Sequence, residues 1–272
     1  MAPRPFRCVV HGPVATLLFG SASTQHAALS RLECFYESEK HANVYLTREE
    51  AARERICKGY EAFNLPLDVV PRWLHAMQEA EKPEPNEEQT WWYAYCAPEE
   101  VAVLETLDEL DTKPTYLVSA LVQHADIALA HERLHALYHL SAPYREMLAT
   151  LWDSMPRNVQ SAVQYDLQMR GYREAVWQDE LGAYLGIHVA PTSRRDDPSL
   201  EFGNKCAEVC REIRRTLLQN IPAFWRADAG VDEASLELDP AVLDEARVAL
   251  VPPKPAPKVK TGGKGHSKKS RK

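Results

Sequence analysis

The chain has 272 residues with a formal net charge of −7 at pH 7, and 45% of its residues are apolar. That length allows one large domain with extensions, and no window approaches the roughly 18 consecutive apolar residues of a membrane span. Six scattered cysteines without the CxxC zinc spacing favour reduced thiols over a disulfide framework. Because the N-terminal apolar stretch is too short for a secretory signal, we expect a cytoplasmic or nuclear protein that is not secreted and has no membrane partner.

The charge is distributed unevenly along the chain. Residues 254–272 contain eight Lys or Arg and no acidic residue, so the rest of the chain carries 24 basic and 39 acidic residues. An acidic body is poorly suited to bind nucleic acid. The basic tail alone is therefore a candidate for weak contact with nucleic-acid phosphates or for a nuclear signal.

The N-terminal third mixes strand-like and helical patterns. Three apolar runs bounded by turn residues predict strands: RCVVHG, VATLLF and NVYLT (43–47). Thr47 and Glu50 form a capping box that opens a helix, and a second helix is expected near 70–80. WWYAYC (91–96) predicts a further strand, because aromatic residues suit a half-buried sheet.

The middle of the chain has a predominantly helical pattern. Pro98 at a first helical turn opens a helix over 98–110, and TYLVSAL (115–121) fits either a strand or the start of the next helix. Helices are then expected at 123–140, 142–154, 157–170, 173–187 and 204–219, with a loop over 188–202. The prediction is an α+β fold, predominantly helical, with a small sheet preceding the helix over 123–140.

Composition divides the chain into three parts. Residues 1–227 are predicted to form one domain, whose motif-bearing core spans 115–187. Aromatic residues stop after about residue 228, so 228–253 is predicted as a linker. The Pro, Gly, Ser and Lys composition of 254–272 predicts a disordered basic tail.

The segment AHERLHALYHL (130–140) carries the strongest chemical signal. On a helix, His131 and His135 lie one turn apart and project to one side, where both imidazoles can bind one metal ion. Glu132 is rotated by about 100°, which places it near a water on that metal without making it a ligand. The alternative interpretation is a helix whose histidines are half-buried and hydrogen-bonded, or simply solvated.

A catalytic zinc site needs a third protein ligand. His139 continues the histidine stripe, but it lies about 12 Å from His131 along the helix axis, so it is expected to support the site, face the substrate or lie at the surface. Glu180 is the preferred candidate, because a carboxylate among aromatic residues is costly to bury unless it is paired or bound to a metal. Asp179 is expected to face solvent but remains the alternative ligand or a residue that supports the site, and Glu174 is a weaker candidate.

The arrangement resembles the zincin metallopeptidases, and more narrowly the gluzincins, in which an HExxH helix is followed by a helix with a glutamate ligand. The matching residues are His131-Glu132-Arg133-Leu134-His135 and then Glu180, within 115–187. The resemblance implies a zincin-like fold, one zinc ion bound by His131, His135 and Glu180, and Glu132 as general base. It implies hydrolysis of peptide bonds in a protein or peptide substrate.

The resemblance also raises expectations about the surroundings of the metal. Tyr184 stands where many gluzincins have a second acidic residue, four positions after the ligand glutamate. Candidates for the donor that stabilises the transition state are Tyr184, Tyr172, His139 and His188. TYLVSAL or WWYAYC is expected to supply an edge strand for an extended substrate. Competing hypotheses are a non-catalytic zincin-fold scaffold and a nucleic-acid-associated protein recruited by the basic tail.

Overall fold

The structure, a computed structural model, describes residues 4–83, 91–188 and 197–251. Within these ranges the fold is α+β and mainly helical, as the sequence predicts. The strands are β1 (Phe6–His11), β2 (Val14–Phe19), β3 (Ala62–Pro66) and β4 (Tyr116–Leu121). The helices are α1 (Ala22–Glu37), α2 (Arg48–Glu54), α3 (Val69–Glu81), α4 (Pro98–Glu109), α5 (Ala125–Leu140), α6 (Ala142–Ser154), α7 (Arg157–Met169), α8 (Trp177–Gly186), α9 (Ala207–Asp228) and α10 (Pro240–Leu250).

The four strands form one sheet in the order β1-β2-β4-β3. β1 and β2 form an antiparallel hairpin whose turn contains Gly12 at a φ of 55°, a left-handed conformation that glycine adopts at little cost. β2 and β4 are parallel, and such a pair needs a long crossover, which here includes α1 to α4 and β3. β3 pairs antiparallel with β4 and forms one edge of the sheet.

Alternation along β4 divides its side chains between two cores. Tyr116 and Val118 face a core that also contains residues of α5, α6, α8 and α9. Leu117 faces the other core, which is formed with α1, α3 and α4. Both faces of the sheet are therefore covered by helices, and α5 packs against one of them.

Two of the predicted strands are wrong. NVYLT contains no strand and leads into α2, which begins at the predicted capping box of Thr47 and Glu50. WWYAYC begins with a 3-10 helix at Trp91–Ala94. The rings of Trp92 and Tyr93 stack on each other, and Trp91, Trp92 and Tyr95 pack against the core formed by the sheet with α1, α3 and α4. TYLVSAL, for which strand and helix were both open, is the central strand β4.

Sequence analysis missed α1 and β3. α1 buries the polar residues Gln25, Arg31 and Glu33 on faces where apolar residues would have revealed an amphipathic helix. The buried Arg31 guanidinium donates two hydrogen bonds to the carboxylate of Glu100 on α4, which ties these helices together. β3 has only five residues and follows soon after a helix, so its pattern is short.

Part of the segment predicted as a linker is helical. Residues 228–253 include a 3-10 helix at Glu233–Leu236 and the helix α10. Leu236, Leu243 and Ala246 are buried in the same core as α5 and α8. This segment packs through aliphatic side chains, so the absence of aromatic residues after about residue 228 does not mean that the segment lacks secondary structure.

The tail over 254–272 lies outside the described residues. Its disorder, its contact with nucleic acid and its role as a nuclear signal therefore stay predictions. In the part of the chain that the structure describes, no helix is long and apolar enough to cross a membrane.

Two glycines allow α8 to approach its neighbours closely. A Cβ atom on Gly182 would lie 2.7 Å from Cδ1 of Leu148 and 2.8 Å from the hydroxyl oxygen of Tyr144, both on α6. A Cβ atom on Gly186 would lie 3.0 Å from Cδ1 of Leu134 on α5. Because α8 is packed this closely against both helices, its position relative to α5 is tightly determined.

Replacement of Gly182 by alanine should destabilise the fold. The added methyl group has no room beside α6, and overpacking of this kind typically costs about 1–3 kcal/mol. Urea denaturation followed by circular dichroism measures the free energy of unfolding. The control is Ser161→Ala on the exposed face of α7, which should change that free energy by less than about 0.5 kcal/mol. Equal stability of Gly182→Ala and the wild type would contradict the close packing of α8.

Candidate metal centre

Two helices bring the predicted ligand side chains together. His131 and His135 lie one turn apart on α5, and Glu180 lies in the first turn of α8. The Nε2 atoms of the two histidines are 3.2 Å apart. Each of them lies 3.7 Å from a carboxylate oxygen of Glu180. Among the described residues, these three side chains form a group that is able to hold a metal ion.

The separations are near those of a tetrahedral ligand set. Two ligand atoms at about 2.0–2.1 Å from an ion and at the tetrahedral angle lie about 3.3–3.4 Å from each other. The distance of 3.2 Å between the two Nε2 atoms is close to this value, whereas the two distances of 3.7 Å are longer and run to different oxygens of Glu180, Oε2 from His131 and Oε1 from His135. An ion therefore fits among the three side chains with small adjustments, and three protein ligands leave a fourth position for water or substrate.

Glu180 is buried with one oxygen unpartnered. The residue is 6% exposed, and its Oε2 atom has no hydrogen-bond partner among the described residues. Burial raises the pKa of its carboxyl to about 8, although the neighbouring His135 opposes this shift. A buried carboxylate is costly unless a cation compensates its charge. A divalent ion between Glu180 and the imidazoles supplies that compensation, so the residues present fit a metal.

The two imidazoles differ in their electrostatic surroundings. Burial lowers the pKa of His131 well below its usual value, and the nearby charges of His135 and Arg170 lower it further. His131 is therefore neutral and has a lone pair for a metal. Burial also disfavours the charged form of His135, but Asp179 and Glu180 outweigh it and raise the pKa well above the usual value. A metal ion at Nε2 would take the place of the proton that these carboxylates favour.

Asp179 supports His135 rather than facing solvent, so the expected exposure of this residue is wrong. Its Oδ1 atom lies 2.9 Å from Nδ1 of His135, and its side chain is only 19% exposed. Such a contact fixes the imidazole so that Nε2 points away from Asp179, towards His131 and Glu180. The first turn of α8 packs against α5, and this packing places both Asp179 and Glu180 at the histidines. The helical periodicity of α8 alone does not predict that contact.

Glu132 lies beside the three ligand side chains and is held by the sheet. The residue is 9% exposed, and its Oε2 atom accepts a hydrogen bond of 2.7 Å from Nδ2 of Asn64 on β3. The oxygen of the Asn64 amide in turn accepts a hydrogen bond from the hydroxyl of Tyr116. Burial raises the pKa of Glu132 to about 7, while His135 and the Asn64 hydrogen bond act in the opposite direction. Sequence analysis missed Asn64, because β3 itself was not recognised.

Of the predicted donor candidates, Tyr184 packs on a histidine and Tyr172 contacts Tyr184. The ring of Tyr184 packs edge-on against the imidazole of His131 at a centroid distance of 4.7 Å. The hydroxyl oxygens of Tyr184 and Tyr172 are 3.1 Å apart. Burial and the negative charge of Glu180 raise the pKa of Tyr172, which keeps its hydroxyl protonated and able to donate.

The other candidates lie away from the ligand atoms. His139 is exposed near the end of α5, with its ring against Tyr116 at 5.3 Å. His188 lines a different cavity. Glu174 is exposed in the 3-10 helix Glu174–Val176 that precedes α8. None of these three side chains belongs to the group that is able to hold a metal.

A cavity of about 180 Å³ is lined by Tyr172 and by two acids of α1, Glu33 and Glu37, but by none of the three side chains that are able to hold a metal. Glu33 is 2% exposed, and one of its carboxylate oxygens is unpartnered among the described residues. Burial raises the pKa of Glu33 well above its usual value, and the charges of Glu37 and Glu132 add to this effect. Glu33 and Glu37 are spaced i,i+4 among apolar residues of α1. Had α1 been recognised, this spacing would have indicated two acids on one face of the helix.

Comparison with known proteins finds no matching family model, no matching curated protein and no matching solved structure.

Replacement of Asp179 by asparagine should weaken metal binding. The amide has no charge with which to hold the Nδ1–H group of His135, and loss of such support typically lowers metal affinity by about 10–100-fold. Competition with a chelating dye measures the dissociation constant for Zn²⁺. The matched control is Glu174→Gln, the same loss of a carboxylate at an exposed position of the same segment, which should leave the affinity unchanged. Equal weakening in both variants would point to overall charge rather than to the His135 contact.

Proposed function

We propose that the protein is a zinc-dependent metallopeptidase with a zincin-like fold. The observation that carries this proposal is the placement of His131, His135 and Glu180 together, with one ligand atom of each within 4.8 Å of the others. The buried carboxylate of Glu132 beside them supports a catalytic rather than a structural site, because a structural site has no need of a general base.

Zinc is the metal that this ligand set favours. Two imidazole nitrogens and one carboxylate oxygen, with a fourth position open, form a common set for catalytic zinc. When bound, zinc supplies a Lewis acid that acidifies water and polarises the carbonyl group under attack.

Glu132 is assigned to proton transfer. Its pKa of about 7 allows it to accept a proton from the attacking water and to deliver that proton to the leaving amine near neutral pH. The Asn64 amide binds Oε2 of this carboxylate, which orients the group and leaves the other oxygen for the water. The carboxylate of Glu132 is thus oriented by the edge strand β3, although Glu132 itself lies on α5 with the two histidines.

Tyr172 is assigned to stabilisation of the oxyanion that forms at the carbonyl. Its hydroxyl oxygen lies 3.1 Å from that of Tyr184, and its raised pKa keeps the hydroxyl a donor. Tyr184 contacts both the Tyr172 hydroxyl and the ring of His131, so it positions this donor relative to the metal ligands. Of the donors that the sequence left open, Tyr172 has the strongest structural support.

The position of β3 supports an extended peptide as substrate. Of the two segments expected to form a substrate edge, TYLVSAL is paired on both sides as β4, and WWYAYC is not a strand. β3 is the edge strand next to the centre, and its Asn64 contacts Glu132. An extended chain added to an edge strand forms main-chain hydrogen bonds. Such a chain would lie beside the general base, as proteolysis requires.

Glu132→Gln should keep zinc but lose hydrolysis. The amide preserves the shape and removes the proton acceptor, so cleavage of a peptide library should slow by about 10²–10⁴-fold. His131→Ala should lose both zinc and hydrolysis, as metal analysis and peptide mass spectrometry would show. The control is Glu146→Gln on the exposed side of α6, which should retain both. Wild-type protein with far less than one equivalent of zinc would refute the proposal, and a zinc-loaded protein without hydrolysis would favour the scaffold hypothesis.

Tyr172→Phe should lower kcat by about 10²–10³-fold with little change in KM, because the donor acts on charge that develops in the transition state. Zinc content should stay at the wild-type level. The matched control is Tyr165→Phe, the same loss of a hydroxyl at a site on α7 that is 66% exposed. An unchanged kcat in Tyr172→Phe would exclude Tyr172 as the donor without affecting the assignment of Glu132.

A further inference from the structure

A groove of about 600 Å³ lies between α3, the 3-10 helix Trp91–Ala94 and α4, on the face of the sheet away from α5. Neither Glu132 nor any of the three side chains that are able to hold a metal lines it, and the mechanism proposed above makes no use of it. Apolar surface rimmed by polar residues typically marks an interaction site. The apolar lining includes Leu67, Val70, Leu74, Leu104 and Leu107.

Two stacked aromatic rings form one wall of the groove. The ring centroids of Trp92 and Tyr93 are 4.4 Å apart, and the ring planes are inclined by only 19°. Tyr93 is 38% exposed, and its hydroxyl donates a hydrogen bond to the carboxylate of Glu105, which fixes the ring relative to α4. Grooves with aromatic walls bind proline-rich segments in the polyproline II conformation.

Acidic side chains lie beside the aromatic wall. Glu105 and Asp108 line the groove and are exposed. Lys113 also lines it, but its ammonium group donates a hydrogen bond to the backbone carbonyl of Asp108 rather than to a carboxylate. The charge of the described lining therefore favours an occupant with basic residues.

The chain contains a segment with this chemistry, which lies outside the described residues. Residues 252–260 read PPKPAPKVK, a run of prolines and lysines without an acid. Its proline content favours polyproline II, a helix with three residues per turn and no internal hydrogen bonds. In that conformation the three faces carry Pro-Pro-Lys (252, 255, 258), Pro-Ala-Val (253, 256, 259) and Lys-Pro-Lys (254, 257, 260). The segment thus presents apolar side chains on one side and lysines at the edges.

The start of this segment and the groove lie at opposite ends of the sheet. The backbone of Leu250, the last residue of α10, lies against Gly20, which follows β2: a Cβ atom on Gly20 would lie 2.2 Å from the Leu250 carbonyl oxygen. Leu67 of the groove donates its backbone N–H to the carbonyl of Thr115, which precedes β4. Because β2 and β4 are parallel, these two contacts mark opposite ends of the strands.

The length of the strands sets the distance that the segment would have to cross in its own chain. Thr115 lies level with Pro13, seven residues before Gly20, and parallel strands rise about 3.3 Å per residue, which gives about 23 Å. The five residues from Leu250 to Pro255 span at most about 18 Å when fully extended. The first proline turn therefore cannot enter the groove of its own chain, whereas a second copy has no such restriction.

We propose that the groove binds residues 252–260 of a second copy of this chain. The segment binds as a polyproline II helix, its apolar faces pack on Trp92 and the leucines, and its lysines lie near Glu105 and Asp108. The segment of one copy meets the groove of another, so the contact is heterologous and links copies head to tail. The association does not depend on the proposed peptidase activity.

Sedimentation velocity of the full chain tests for this association. The weight-average mass should rise with protein concentration in the micromolar range. A synthetic peptide of residues 252–260 in large excess should return the protein to monomers, whereas the same peptide with alanine at every proline position should not, because it has lost the preformed polyproline II helix. Monomers throughout the micromolar range would overturn the proposal.

Tyr93→Ala assigns the contact to the groove. It removes one ring of the aromatic wall and should weaken the association by about tenfold or more. The matched control is Tyr165→Ala, the loss of a tyrosine on α7 that is 66% exposed, which should associate like the wild type. Circular dichroism should be unchanged in both variants. Equal association of Tyr93→Ala and the wild type would overturn the proposal.

Paired lysine variants assign the contact to the segment. Lys254→Ala with Lys260→Ala should weaken the association and reduce its dependence on salt, because the lysines lie near exposed carboxylates. The matched control is Lys268→Ala with Lys269→Ala, which removes the same charge outside the segment and should leave the association unchanged. Equal weakening in both pairs would mean that the overall charge of the tail is responsible, and would overturn the proposal.

Fluorescence anisotropy distinguishes a second copy from the chain's own tail. A labelled peptide of residues 252–260 should bind the full chain at low protein concentration, where the chain is monomeric. Its affinity should be the same for a chain that carries Pro253→Ala and Pro255→Ala, because the segment does not reach its own groove. Tighter binding to that variant would mean that the chain's own tail occupies the groove, and absence of binding would mean that the groove takes another partner. Either result would overturn the proposal.

Discussion

A buried carboxylate that faces two imidazoles is the constraint on which the arrangement of α5 and α8 depends. Glu180 has an oxygen without a hydrogen-bond partner among the described residues, and both histidine Nε2 atoms lie within 3.7 Å of its carboxylate. Such a group is costly in an apolar core unless a cation compensates its charge. The glycines that allow α8 to pack closely against α5 and α6 place Glu180 at this distance. Asp179, the residue before Glu180, contacts Nδ1 of His135, whose Nε2 faces Glu180.

The sheet contributes orientation rather than ligands. β4 is the central strand under α5, while the short edge strand β3 carries Asn64 to the carboxylate of Glu132. The Asn64 side chain is held in turn by the hydroxyl of Tyr116 from the neighbouring strand. The side chains that are able to hold a metal and the proposed general base Glu132 are therefore supported by different layers.

α5 carries different chemistry on its two sides. His131 and His135 face α8, whereas Arg133, between them in sequence, lines a separate cavity on the other side of the helix. This follows from helix geometry, since residues two apart are rotated by about 200°. The helix is buried around most of its circumference, although Asp126 and His139 are exposed. The segment that follows α9, which lacks aromatic residues, contributes Leu236, Leu243 and Ala246 to the core that α5 shares.

The sequence by itself determined the α+β class, the helix that carries HExxH, most of the later helices and the three ligand candidates, because helical period and residue chemistry are local properties. It did not determine which neighbours those residues meet. Only the tertiary structure turned Asp179 from an expected surface residue into the partner of His135, and identified β3 with Asn64 as the support of Glu132. Likewise, the buried polar residues Arg31 and Glu33 interrupt the amphipathic pattern of α1, so the sequence alone did not predict this helix. In each case the deciding contact joins residues distant in the chain, and such contacts depend on packing that no local pattern encodes.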